Sequence, residues 1–295
     1  MLHPRPTLAE MEDRKPVRLP GSFAPMMEGD DEGFARLLKK ICSDTQFQGQ
    51  YYKDKCLRRR IAVRMRARGE NSFADYAALL DRDAGEYDHL LDTLTINVTK
   101  FFRNLETWKA IEEQVVPHFF ALRGPLRVWS AGSASGEEAY TASILLREWA
   151  ERNGKTGELG RVRITGTDID RRSLEAAERG AYPELSLTET PDAVRERWFS
   201  PGPVYRIHPE AQRNVRFTRS DLISGPPEAE QSLIFCRNVV IYFDREIQER
   251  LFKRFHDALV PGGFLVLGKV ETLIGPARTL LRPVNNRERI FQRPP

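Results

Sequence analysis

Cysteine is scarce in this 295-residue chain, and the three present (Cys42, Cys56 and Cys236) lie far apart with no CxxC pair. Such spacing suggests neither a disulfide framework nor a thiolate zinc site. Five scattered histidines give no metal-ligand spacing either, so no metal is expected. No apolar run is long enough to span a bilayer, and the N-terminus lacks a basic segment leading into an apolar one. The expectation is a cytoplasmic protein with no membrane insertion. The dinucleotide fingerprint G-x-G-x-x-G is also missing, although a glycine loop does follow the first strand-like stretch.

What is present fits a soluble globular protein: hydrophobic residues make up 40% and charged ones 30%. The length allows one large domain or two smaller ones. The net charge of +4 is mild, so where it concentrates matters more than its size. Residues 1–30 carry Pro4, Pro6, Pro16, Pro20 and Pro25 without an apolar period, and read as a disordered leader.

Residues 31–94 read as an all-helical N-terminal domain. Phe34, Leu37, Leu38 and Ile41 fall at helical spacing, a second helix covers 53–68, a third follows an N-cap at Asn71-Ser72, and a fourth covers 87–94. From 95 to 295 the pattern becomes strand–helix alternation. Strands are expected at 127–131, 162–167, 215–218, 232–236 and in "FLVLG", with helices at 137–152, 170–179 and 245–259. That alternation predicts an α/β fold, a parallel sheet with helices on both faces. Five prolines interrupt the rhythm in 183–214, which reads as an insertion with a short hairpin around Val204–Ile207.

The loop "WSAGSASGEEAY" places Gly132 and Gly136 before a helix whose first residues are Glu137 and Glu138. Free N–H groups at a helix start attract phosphate, but two carboxylates there would repel it. Asp168, at the end of the second strand, suits ribose hydroxyls. A nucleoside carrying positive charge and no phosphate fits this combination, and S-adenosylmethionine is such a molecule. Acids in a first helical turn also stabilise the helix by about 0.3–1 kcal/mol with no ligand at all.

Five segments together resemble the chemotaxis-receptor glutamate O-methyltransferases, the CheR family: "INVTKFFRN", "VWSAGSASGEEAY", "GTDID…LEAAERGAY", "IFCRNVVIYFD" and "GGFLVLGKVETL". The resemblance covers about residues 34–293 in the family's order. It implies a class I S-adenosylmethionine-dependent methyltransferase (Rossmann-like) sheet, a small β-subdomain inserted at 183–214, and an N-terminal helical domain. It also implies S-adenosylmethionine as cofactor and S-adenosylhomocysteine as product. Cofactor contacts would come from Asn97, Thr99, Arg103, Glu138, Asp168, Asp221, Leu222, Arg237 and Asn238, with Arg103 and Tyr242 as catalytic residues. The family commonly has Asn-Leu where Asp221-Leu222 stand, proline at Ala139, and a small or polar residue at Lys269.

The implied reaction is methyl transfer to glutamate side chains of chemoreceptors, giving methyl esters in chemosensory adaptation. A carboxylate of pKa ~4.3 is ionised at neutral pH and needs no general base, in keeping with the lack of a His–carboxylate pair. The turn after the "LIFC" strand reads Arg237-Asn238-Val239-Val240, unlike the N/D-P-P-Y/F turn usual for methylation of base amino groups. The partner would be the receptors' cytoplasmic helical domain. Arg58, Arg59 and Arg66, on the arginine-rich second helix, are its candidate contacts. A solvated helix face is the plain alternative there. No nucleic acid is expected, since no aromatics interleave in that helix. The competing functional readings are an RNA methyltransferase and a non-catalytic S-adenosylmethionine-binding scaffold.

Overall fold

The computed structural model describes residues 30–45, 47–94, 99–225 and 228–295. The leader lies outside them except for Asp30, whose carboxylate caps the first helix by accepting from Gly33 N at 2.7 Å. Four helices follow: α1 (Asp31–Asp44), α2 (Asp54–Arg68), α3 (Phe73–Arg82) and α4 (Gly85–Leu94). Each buries one apolar stripe, so Phe34, Leu37, Ile41, Leu57, Ile61, Tyr76 and Leu90 close a core of their own. Ser72 caps α3 through Asp75 N, as the Asn71-Ser72 signal predicts. Two helices absent from the sequence reading come next, α5 (Leu105–Gln114) and α6 (Val116–Ala121).

A seven-stranded sheet forms the larger body. Its strands are β1 (Leu126–Ala131), β2 (Val162–Asp168), β6 (Val215–Arg219), β7 (Gln231–Cys236), β8 (Leu259–Leu267), β9 (Arg282–Asn285) and β10 (Ile290–Gln292), in the order β6-β2-β1-β7-β8-β10-β9. The helices α7 (Glu137–Arg152), α8 (Arg171–Arg179) and, later in the chain, Arg245–Ala258 cross between them. Alternate residues of each strand serve two cores. Leu233 and Phe235 of β7 face α5–α7, while Ile234 and Cys236 face Leu251, Phe252 and Phe255 of the Arg245–Ala258 helix.

The sheet is not wholly parallel, which corrects the sequence expectation. β10 pairs antiparallel with both β8 and β9. Only four residues join β9 to β10, too few for a parallel crossover. A second, small sheet stands at the proline-rich stretch. β3 (Ala181–Tyr182) and β4 (Phe199–Ser200) flank β5 (Tyr205–Ile207) in a small antiparallel sheet: β4 and β5 pair as a hairpin across residues 201–204, and β3 joins the other side of β5 from farther back in the sequence. Among the described residues no helix is long and apolar enough to cross a membrane.

Strand order reverses between β1 and β7, and open α/β sheets bind ligands outside the carboxyl ends of their strands at such a switch. The helical bundle sits over that edge. Lys53 N donates to Tyr242 O at 3.0 Å, Tyr52 bridges to Phe243, and Arg172 of α8 reaches Asp88 (3.0 Å) and Asp92 on α4.

Candidate active site

The loop from β1 to α7 turns sharply under the strand ends. Gly132 (φ +77°) and Gly136 (φ +90°) take left-handed backbone, where a Cβ would meet Val239 Cγ2 at 2.6 Å and Phe217 Cζ at 2.8 Å respectively. Gly132 N and Ser133 N donate to Thr167 O at 2.8 and 2.9 Å, stitching the loop to β2. Ala134 N then donates to the Asp168 carboxylate at 2.8 Å. Ala134 and Asn238, on opposite walls, are non-glycine residues at φ +46° and +62°. Strained backbone of this kind is kept where the surroundings over-determine it, commonly at functional sites.

Two adjoining compartments open here and share Gly132, Ala134, Asn238, Val239 and Tyr242. Thr99, Arg103, Glu138 and Arg237 line the first. Asp168, Asp221 and Leu222 line the second. The cleft therefore brings together Thr99, Arg103, Glu138, Asp168, Asp221, Leu222, Arg237, Asn238 and Tyr242. Asn97 lies outside the described residues.

The two neighbouring glutamates part company. Glu138 accepts from Ser130 Oγ at 2.8 Å and faces Arg237 Nη1 at 3.5 Å, with only 12% of its side chain exposed. Glu137 turns away, accepting from Ser135 Oγ (2.7 Å) and Ser186 Oγ (3.3 Å) beside the small sheet, and lines neither compartment. Burial pushes the Glu138 carboxyl upward against the pull of Arg237, and burial likewise lowers the Arg237 guanidinium. Arg237 also donates to Arg103 O at 2.7 Å and lies 5.4 Å from the Trp108 ring centroid. Asp168 accepts from Ala134 N and Asp170 N, yet burial still raises its carboxyl above the usual range. These recessed carboxylates suit a ligand that brings donors or positive charge. Asp221 spends Oδ1 on Ile223 N at 2.7 Å.

Several residues here have no counterpart in the sequence reading. Glu271 is 3% exposed, and its carboxylate accepts from Asn238 N (2.9 Å), Val239 N (2.9 Å) and Gly268 N (2.6 Å), fixing the wall between the compartments. It stands in the quoted "GGFLVLGKVETL", but nothing local marks it as a clamp. Tyr52 and Arg60 come from the helical bundle. Arg60 is 6% exposed, donates through Nη1 to Leu94 O and lies over the Tyr242 ring, while its Nε and Nη2 have no partner among the described residues. Burial raises the Tyr242 phenol, and Arg60, Arg103 and Arg59 pull it back. Asn238 Oδ1 and Ser133 Oγ are buried without partners among the described residues. A polar ligand such as S-adenosylmethionine would satisfy such groups, so the residues present fit that cofactor.

The arginines of α2 divide by role. Arg58 is drawn into the bundle, pairing with Asp31 at 2.7 Å and lying 4.0 Å from the Phe34 ring centroid. Arg64 and Arg68 clamp the fully buried Glu86, which Tyr76 also bonds. Arg59 and Arg66 remain on the exposed side.

Known proteins supply an independent comparison. The family model "CheR methyltransferase, SAM binding domain" matches residues 97–289, and "CheR methyltransferase, all-alpha domain" matches 32–95. A chemotaxis protein methyltransferase of Listeria innocua is 34% identical over 89% of this chain and 97% of its own. An uncharacterized 104.1 kDa protein of Rhodobacter capsulatus is 35% identical over 82% of this chain, which spans only 26% of that protein. A methyltransferase structure from Methanosarcina mazei aligns with 52% of this chain and 55% of its own at 15% identity and a TM-score of 0.31, too distant to carry weight. With both models matched end to end along the described body, this chain belongs to the CheR methyltransferase family and takes S-adenosylmethionine as its cofactor.

Proposed function

We propose that this enzyme methylates glutamate side chains on the cytoplasmic helical domain of chemoreceptors, forming methyl esters in chemosensory adaptation. The observation that carries this reading is Arg60, a buried arginine in the cleft wall beside Tyr242 whose Nε and Nη2 have no partner among the described residues. A buried polar group left unsatisfied costs about 1–3 kcal/mol, and an acceptor carboxylate is the ligand that would relieve it. The relatives named chemotaxis protein methyltransferase support methyl transfer in chemotaxis.

The chemistry that S-adenosylmethionine brings is an electrophilic methyl on a sulfonium, with S-adenosylhomocysteine as the product. Glu138 would hold its ammonium, Asp168 its ribose hydroxyls, and Asp221 and Leu222 its adenine, while Thr99, Arg237 and Asn238 would close the walls. Among the described residues no histidine lines either compartment, and the reaction asks for none. A glutamate of pKa ~4.3 is already ionised, so no proton has to move. What remains for the chain is to bind, orient and exclude water. Arg60 and Arg103 would hold the acceptor carboxylate and Tyr242 would fix its line of approach. Such orientation is worth about 7–11 kcal/mol in favourable cases.

Incubation with labelled S-adenosylmethionine and a receptor cytoplasmic fragment tests the reading. Fragments carrying Glu at the acceptor positions should take up label, and fragments carrying Gln there should not. Equal uptake by both would overturn it.

A further inference from the structure

The wall from Asn238 to Tyr242 is gripped at both ends. At its end stands α2, through Arg60 over the Tyr242 ring and Lys53 N on Tyr242 O. At its start stands the turn Gly268–Glu271. Glu271 N donates to Gly268 O at 2.9 Å, Gly268 N returns to the Glu271 carboxylate at 2.6 Å, and that same carboxylate holds Asn238 and Val239. A Cβ on residue 268 would stand 2.8 Å from Asn238 N, so the turn and the wall are in close contact. Two residues project from this rigid turn. Val270 is 73% exposed, more than any other large apolar side chain among the described residues. Lys269 is 40% exposed, leans on Glu288 at 3.4 Å, and has its carbonyl held by Arg289 Nε at 3.3 Å.

A single exposed valine is ordinary on a protein surface. This one sits at the tip of a clamped turn, flanked by Lys269 and one residue from the group that sets the cleft wall. Being already ordered, it would lose little entropy on contact. Its cationic and apolar character complements an amphipathic helix rich in carboxylates. We propose that the Lys269–Val270 tip is a second docking point for the acceptor helix, opposite α2, so that the helix is held at both ends of the wall and its glutamate is presented between them. The proposal rests on the receptor-methylating function above.

The test is steady-state methylation of a receptor cytoplasmic fragment by the full chain carrying Val270→Asp, Lys269→Glu or both, alongside calorimetric binding of S-adenosylhomocysteine. The KM for the fragment should rise about five- to tenfold in each single variant, with kcat and S-adenosylhomocysteine affinity unchanged. An unchanged KM would overturn the docking point and leave receptor methylation standing. A fall in S-adenosylhomocysteine affinity matching the rise in KM would also overturn it, because the turn would then act only by holding the wall. If the unsubstituted chain puts no label on the fragment, the function itself fails, and the docking point fails with it.

Discussion

The Arg60 guanidinium, carried on α2, lies 4.7 Å from the centroid of the Tyr242 ring at the sheet's carboxyl edge. One contact thus ties the helical bundle to the cleft, and it does so with a side chain whose Nε and Nη2 have no partner among the described residues. Cation–π attraction offsets part of the cost of burying Arg60. The remainder is the reason to expect a carboxylate there.

Arg60→Ala should therefore act on turnover before it acts on cofactor. The expected loss in kcat/KM for a receptor fragment is about a hundredfold, ~2.7 kcal/mol, with S-adenosylhomocysteine affinity changed by less than about threefold. Arg60→Lys should recover only part, since an ammonium keeps the charge but neither the planar fork nor the stacking. Single-turnover kinetics with calorimetry on the same preparations would check both.

Glu271 would act on the cofactor only through the backbone it holds, at Asn238 N, Val239 N and Gly268 N. Replacing it with Gln leaves one acceptor and introduces an N–H pair where three donors converge. Glu271→Gln should weaken S-adenosylhomocysteine binding by roughly 2–3 kcal/mol and lower the melting temperature by several degrees. Unchanged binding by calorimetry would remove its positioning role.

Asp168 gives a pH signature. Burial raises its carboxyl, so the folded chain takes up a proton before the unfolded chain does as the pH falls. Its contribution to stability without ligand is therefore present at low pH and lost as the pH rises through the raised value. Affinity for S-adenosylhomocysteine should run the other way, falling as the pH drops through that range, because the ionised form accepts the ribose hydroxyls best. Asp168→Ala should flatten the affinity profile and reduce affinity at neutral pH by roughly 2–3 kcal/mol. Calorimetry over a pH series running upward from the ordinary carboxylate range would show it.

Arg59 and Arg66 are exposed on α2. Charge reversal of both should raise the KM for receptor and weaken its dependence on ionic strength, while cofactor affinity stays constant. A salt series of initial rates is the check.

Elements with strong periodicity were legible in the sequence. The helix Glu137–Arg152 has the predicted bounds, and β1, β2 and β7 agree to within one residue at either end. The antiparallel end of the sheet was not, because β9 contains Pro283 and β10 is only three residues long. Spacing at 100° per residue separates Glu137 from Glu138, yet which one faces the cleft depends on Ser186 and Arg237, residues far along the chain. Arg60 was hidden for a similar reason. Flanked by Leu57 and Ile61 it reads as one more charge on a basic helix, and its meaning comes from Tyr242 in another part of the fold. Arg58, two residues earlier, instead spends its charge on Asp31.

The chemical nature of the product decides the account. Receptor cytoplasmic fragment labelled by this enzyme from methyl-labelled S-adenosylmethionine should release its label as methanol in mild alkali, with the modified residues recovered as glutamate. Label that survives the same alkali treatment, on lysine, arginine or a nucleic acid, would contradict methylation of a carboxylate.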